Sequence, residues 1–351
     1  MNTLCAIASA VKPNGLWEKI LFALDGKVVS YAVAIILITL AIKILMTPLD
    51  IFNKIIMKKN NRKMAVIQPE LNKIEQRYKN NPNLKNQKIN ELYKRENYNI
   101  QGTCLGMVLN MGLTLLIFMS LFASLNNVAN YKMREEFIAV QTAYERVYNE
   151  TAIEGMSDEE KSALKVQAGQ VALAKYEEVR EGFLWVKSIW RPDTATSSVM
   201  KYSEFNKSIL KKSGEVSEAD YNDIMGAIEA KYNNWNGKLI LPILSIIITY
   251  FSMQMNVFMA KIKAKREGRQ YVADAQGSAK AMTIVMPIIM GIFAIFYNTA
   301  FSVYIVMGAI WGLITTPFTT MLVDKVDAKR AMAEEQKYEA EYSRRKKIDK
   351  K

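Results

Sequence analysis

VVSYAVAIILITLAIKILMTPL, Val28 to Leu49, is apolar throughout except for Lys43, and at Pro48 it opens into a long basic segment that ends near Gln101. As a helix its length is sufficient to cross a hydrocarbon core of roughly 30 Å. An ammonium in hydrocarbon costs roughly 2.5 to 3.5 kcal/mol on insertion scales, which makes the residue a functional candidate. Lys43 also stands only about 9 Å, at helical rise, from the end of the run, so its four-carbon stem can lie along the helix while the amine reaches the headgroups. On these residues alone both readings stay open.

The rest of the chain repeats this contrast. Half of its 351 residues are apolar and 23% are charged, yet the two kinds are segregated into charge-free runs and segments as hydrophilic as a soluble domain. Such segregation predicts an all-α integral membrane protein. There is no histidine, which removes the usual general base and the commonest metal ligand. Cys5 and Cys104 are too few for a disulfide framework or a zinc site, and Cys104 reads as a small apolar filler. With no Gly-rich phosphate loop and no paired acid and base inside the membrane, neither an enzyme nor a cofactor is expected.

Residues 1–27 form an N-terminal segment with a short apolar patch, Leu4 to Val11, and then Leu16, Trp17, Ile20, Leu21 and Leu24 at helical spacing, which suits an interfacial helix. The first span is 28–49, closed by Pro48. Residues 50–102 predict a helical hairpin: Met64, Ile67, Leu71, Ile74 and Tyr78 recur every three or four residues, Asn80 to Asn83 form the turn, and Leu84, Ile89, Leu92 and Tyr93 mark the second helix. A charge-free second span, 103–125, precedes a hydrophilic insert, 126–237, with a capping box at Ser157 and Glu160 and a similar start at Ser217 and Asp220. Within the insert, FLWVKSIWRPD (Phe183 to Asp193) places Trp185 and Trp190 where a membrane interface would suit them. The third span is 239–260, followed by a basic loop, 261–280. The 43 residues from Ala281 to Val323 carry no charge and divide into a fourth span, 281–297, and a fifth, 302–323, before a tail, 324–351.

Charge orients these segments. Residues 49–101 hold twelve Lys/Arg against five Asp/Glu, residues 259–280 six against two and the tail ten against seven, whereas the insert holds fourteen against eighteen. By the positive-inside rule the hairpin, loop and tail are cytoplasmic, and the N-terminus and insert lie outside a multi-pass protein of the cytoplasmic membrane. A lone intramembrane cation beside a basic amphipathic hairpin suits the handling of other polypeptides, because attraction to an acidic segment strengthens where the effective dielectric is low. A solute transporter or channel, and a membrane scaffold for ribosome or translocon, are the alternatives; the first would ordinarily show internal repeats or several intramembrane charges.

The runs IKILMTPL (Ile42 to Leu49), KMAVIQPELNKIEQRYKNN (Lys63 to Asn81) and ELYKRENYN (Glu91 to Asn99) resemble the YidC/Oxa/Alb family of membrane protein insertases. The likeness continues through GTCLG at Gly102, FLW at Phe183, LILPILS at Leu239 and AMTIVMPIIMGIFAIFY at Ala281, and thus covers most of the chain outside the insert. It implies five core spans around a hydrophilic groove that is open to the cytoplasm and the bilayer and closed outward, with nascent membrane proteins as substrates and the ribosome and Sec translocon as further partners. By that resemblance Lys43 falls on the groove arginine and Asn110 on a polar groove position, while the hairpin residues Met64, Ile67, Leu71, Ile74, Tyr78, Leu84, Leu92 and Tyr93 meet substrate. Arg344, Arg345, Lys346 and Lys347 in the tail are candidates for contact with ribosomal RNA phosphates. Gly106 and Gly112 replace family prolines, and SVYIVMGAIWG departs from the last-span pattern, as in a diverged branch.

Overall fold

The computed structural model describes residues 12–24, 30–96, 98, 100–151, 155–194, 198–211, 215–266 and 277–348. The patch Leu4 to Val11 and much of the basic loop 261–280 therefore lie outside the described residues. Those described form an all-α protein of ten helices: α1 (Leu16–Leu24), α2 (Tyr31–Arg77), α3 (Pro82–Arg95), α4 (Ile100–Thr151), α5 (Asp158–Val179), α6 (Tyr202–Ser208), α7 (Glu218–Tyr232), α8 (Ile240–Arg266), α9 (Gly277–Phe296) and α10 (Thr299–Ile348). Four stretches are long and apolar enough to cross a membrane, Tyr31–Asn60, Gly112–Thr151, Ile240–Arg266 and Thr299–Arg330, and Thr283–Phe296 is a shorter apolar helix.

Two of these helices run further than the sequence pattern suggests. Pro48 does not end the helix that carries the first span but lies inside α2, as does Pro69. A helix-interior proline removes one backbone hydrogen bond, and neighbouring hydroxyls can compensate inside a membrane helix. Here the Thr47 hydroxyl donates to the Lys43 carbonyl at 2.7 Å, one residue before the Ile44 carbonyl that loses its helical amide partner to Pro48. Likewise α4 has 52 residues with no break at residue 126, roughly 78 Å of helix, so one rod serves both membrane and insert.

The chain divides into two units. The first comprises Met1–Ala41, Met119–Gln254 and Val272–Gly312. Within it the distal part of α4 joins α5, α6 and α7 around a core of Phe137, Val140, Tyr144, Ala168, Ala172, Tyr176, Phe205, Tyr221, Ile224 and Ile228. Small residues let α5 approach α7 closely: a Cβ built on Gly169 would meet the Ala227 Cβ at 3.4 Å. Phe137, Phe205 and Tyr221 form an aromatic triangle with centroids 4.7 to 5.4 Å apart. Both expected helix starts are present, the Ser157–Glu160 capping box and the Ser217 cap on the Asp220 N–H. Helix α1 docks on α4, where buried Glu18 accepts from Ser124 Oγ (2.9 Å) and Asn127 Nδ2 (3.1 Å), and Trp17 Nε1 donates to Ser120 Oγ.

The segment Phe183 to Asp193 ties this unit together. Asp193, wholly buried, accepts the backbone N–H groups of Leu239 (2.9 Å) and Leu241 (2.8 Å) and so caps α8 from a distance. It steadies a turn in which Lys238 and Leu239 adopt φ near +60°, a conformation L side chains rarely take. Asn236 exchanges hydrogen bonds with Ser188 and donates to the Pro192 carbonyl, while Thr299 and Ala300, at the start of α10, donate to the Arg191 and Ile189 carbonyls. The placement of Trp190 at an interface is corrected: it is 2% exposed and meets Tyr31 edge-on at 5.2 Å, because its segment packs inside this junction, whereas Trp185 is 41% exposed.

Glu136 is half-buried where α4 enters the insert core, and desolvation there pushes its carboxyl up to about 8. The folded state then keeps a proton that the unfolded chain releases near the ordinary glutamate value. The resulting stabilisation is complete below that value and is lost as pH rises toward 8. Thermal unfolding of the protein in nanodiscs should show the first unit losing on the order of a few kcal/mol between about pH 5 and about pH 9, and Glu136→Gln should flatten that slope. Equal slopes for parent and variant would remove Glu136 as the cause.

Candidate functional site

The second unit comprises Ile42–Phe118, Met255–Tyr271 and Leu313–Lys351. On α2, Lys43, Thr47, Asp50, Lys54 and Lys58 follow one another at intervals of four, three, four and four, which places them along one helix face. That face is a hydrophilic track of roughly 22 Å, leading from the basic end of the helix to Lys43. Asp50 is the opposite charge acting on both Lys43 and Lys54.

At the other end of the track α2 meets α8 and α10 through polar groups. Lys54 Nζ donates to Thr319 Oγ1 at 2.8 Å, and that hydroxyl donates in turn to the Thr316 carbonyl at 3.1 Å. Asp324 pairs with both Lys58 and Lys263, the latter at 2.9 Å. The side chains of this trio are 23 to 40% exposed, so the ion pairs are partly hydrated and their strength is that of half-buried rather than interior charges. Thr316 and Thr319 are each 7% exposed, so the neutral part of the cluster is the better shielded.

The hairpin is the other part of this unit. Ile67, Leu71 and Leu92 form its core, with Met64, Ile74, Ile89, Tyr93 and Tyr98 packed half-buried against them. The apolar seam that marked these residues is thus used first to hold α2 and α3 together. Tyr78 and Leu84 flank the turn, where Asn81 accepts the Leu84 N–H at 3.1 Å. Glu70 pairs with Arg95 and Lys88 with Glu91 across and along the pair, beside a groove of about 480 Å³ that Lys73, Arg77 and Tyr78 also line. Fully exposed apolar surface remains at Val66, 74% exposed. Asn110 lies on α4, but its side chain is outside the described residues, as are those of Arg344, Arg345, Lys346 and Lys347 at the end of α10.

Asp50, Lys54, Lys58, Lys263, Thr316, Thr319 and Asp324 were not singled out by the sequence pattern. The helical register from Lys43 carries the first three once Pro48 is read as interior to α2. The α8 and α10 partners have no such signal, since only the packing of distant helices brings them together.

The sequence profile of the 60Kd inner membrane protein family matches residues 23–326, from before α2 to just beyond Asp324. The chain belongs to that family. Among its relatives, the membrane protein insertase YidC of Clostridium perfringens (strain 13 / Type A) is 24% identical over 338 residues, 93% of this chain and 97% of the relative. The membrane protein insertase YidC of Clostridium tetani (strain Massachusetts / E88) is 37% identical over 99 residues, 28% of this chain and 41% of that protein. The same-named protein of Chloroherpeton thalassium (strain ATCC 35110 / GB-78) is 37% identical over 95 residues, 27% of this chain and 16% of its own length. With this family membership and its long apolar helices the chain is a multi-pass membrane protein.

If Asp324 holds α2 and α8 to α10, Asp324→Asn should lower the midpoint of thermal unfolding in detergent by a few degrees, corresponding to about 1 kcal/mol for two partly exposed pairs. The charge swap Lys263→Asp with Asp324→Lys, which leaves Lys58 facing a like charge, should still be more stable than the sum of its two single substitutions. A swap no more stable than the sum of its single substitutions would show that the pairing is not the source of the effect.

Proposed function

We propose that this chain is a membrane protein insertase: it accepts nascent polypeptides from the cytoplasm and releases their hydrophobic segments into the bilayer. The observation that carries the reading is the polar track on α2, which brings charge along a single helix face to Lys43 in a chain of this family. An acidic or polar stretch of a client entering along such a track meets cations where the surrounding dielectric is low, so attraction is stronger there than in bulk water. No covalent bond is made or broken in this process. Its driving force is burial of the client's apolar segment in lipid, worth roughly 25 cal/mol per Å² of apolar area removed from water.

In this reading the chain crosses the membrane five times, with Thr283–Phe296 in the fourth crossing, the insert outside, and the hairpin and tail in the cytoplasm. The charge distribution supports that orientation. The hairpin, through Val66 and the half-buried Met64, Ile74, Tyr78, Leu84 and Tyr93, receives the emerging client beside the mouth of the track. Asn110 is a polar partner of Lys43, and Arg344 to Lys347 neutralise ribosomal RNA phosphates in a contact that weakens with salt.

Reconstituted into liposomes with a ribosome-released, short-tailed single-span client, Lys43→Arg should retain insertion and Lys43→Glu should abolish it. Normal insertion by Lys43→Glu would rule out an electrostatic role for this residue. Removal of residues 60–97 should leave a membrane protein that folds but does not insert the client; undiminished insertion would make the hairpin dispensable.

A further inference from the structure

The insert core is built around one side of α4, and at the far end of that helix it leaves a groove of about 750 Å³ lined by Gln141, Tyr144, Glu145, Tyr148 and Asn149 of α4, Lys165 of α5, and Val216, Asp220, Asp223 and Ile224 beside and on α7. This volume is within the range of sites that enclose organic ligands. Its walls are of two kinds. Tyr144 and Tyr148 lie nearly parallel, 6.0 Å between ring centroids and 16° between planes, and with Val216 and Ile224 they form the apolar part. Glu145, Asp220 and Asp223 form the charged part, against which Lys165 is the single cation among the described residues that line the groove.

The groove already shows what chemistry it accepts. Lys165 Nζ reaches Asp223 Oδ2 at 2.6 Å, and the electrostatic influence of Asp220 and Tyr148 also falls on that ammonium, whose pKa is raised above the ordinary lysine value chiefly by the Asp223 hydrogen bond. The other two carboxylates receive neutral donors: Ser217 Oγ donates to Asp220 at 2.7 Å and Gln141 Nε2 to Glu145 at 2.6 Å. Among the described lining residues, three carboxylates thus face one ammonium. A separate sign of an unfilled site is Tyr144, which is 6% exposed, lines the groove, and has a buried hydroxyl with no hydrogen-bond partner among the described residues. A buried hydroxyl left unpaired costs about 1–3 kcal/mol.

We propose that this groove binds a basic, partly apolar polypeptide segment, its lysine or arginine side chains on Glu145 and Asp220 and its aliphatic surface against Tyr148. The excess of carboxylates excludes acidic segments and disfavours anionic headgroups, and the aromatic wall favours a cation further. The insert as a whole carries eighteen acidic residues against fourteen basic, which adds a long-range attraction of the same sign. This inference rests on the insertase reading for one point, that the groove lies outside the cytoplasm. There it would stand roughly 24 to 36 Å along α4 beyond Leu125, held off the membrane by that helix.

The test uses the full-length protein in nanodiscs of zwitterionic lipid and a fluorescein-labelled peptide of alternating lysine and leucine, with a glutamate-for-lysine peptide as comparison, read by anisotropy. The basic peptide should bind, the acidic one should bind at least about tenfold more weakly, and added salt should weaken the basic complex. Glu145→Gln with Asp220→Asn should weaken it about tenfold while leaving the Lys165–Asp223 pair in place. Glu145→Gln alone, which touches no helix cap, should show a smaller loss in the same direction. Equal binding of both peptides, or unchanged binding by both variants, would overturn the proposal. Insertion of a cytoplasmically presented client is measured on the same preparations. A protein that fails to insert but binds the basic peptide would count against the insertase reading and leave the groove standing, and normal insertion without peptide binding would do the reverse.

Discussion

The Asp193 carboxylate, buried against the start of α8, is the group on which the first unit most depends. Its two hydrogen bonds go to N–H groups that α8 cannot satisfy within itself, at a point where the backbone has just passed through two left-handed residues. A helix end buried without partners would be costly, and lipid offers none. The neighbouring Asn236 and the Arg191 carbonyl do the same for the loop before α8 and the first turn of α10. Apolar spans have little to distinguish one packing from another in hydrocarbon, so polar groups at their ends fix which helix stands beside which.

The same economy of polar groups explains the second unit. Lys54, Lys58 and Lys263 would each be expensive near hydrocarbon if unpaired, and each meets an oxygen supplied by α10. Thr319 and Asp324 therefore join three helices where those helices carry charge. The long stretches of α2 and α4 beyond the apolar runs follow from the same cause: a helix satisfies its backbone internally in either medium, so nothing obliges it to stop at the boundary.

The all-α class, the apolar runs, the hairpin seam and the caps at Ser157 and Ser217 were legible because each is a local pattern with a fixed period or spacing. Where sequence reading fell short, tertiary packing had overridden a local rule. Pro48 is ordinarily a stop, but α2 continues through it at the loss of a single backbone hydrogen bond. Trp190 has the composition of an interface residue, and only the folding back of Phe183 to Asp193 onto Tyr31 buries it. Ile67, Leu71 and Leu92 have the spacing of a binding face, but a two-helix hairpin needs such a face for its own core. Of the candidate site, Lys43 stood out because its cost is visible in one dimension, whereas the α10 partners of Lys54 and Lys58 lie more than 250 residues away in sequence and had no local mark.

The order of charges along the track bears on how an amine can serve where the family resemblance leads one to expect a guanidinium. A guanidinium captures a carboxylate with a planar fork, and Lys43 offers only a point charge on a flexible stem. On α2, however, Lys43 is the innermost of a series: Lys58 shares Asp324 with Lys263, Lys54 is bonded to Thr319, and Asp50 acts on Lys54 and Lys43 alike from between them. The outer cations are therefore engaged by direct contacts, and Asp50 is two helical turns from Lys43 along the axis, roughly 10 Å, too far in rise alone for close contact without both side chains bending toward each other. A client carboxylate moving inward would exchange engaged cations for one less closely held. In the proposed insertase reading, attraction that grows with depth would need no bidentate geometry, and a single ammonium that binds without a rigid fork would also let go more readily as the client shifts toward lipid.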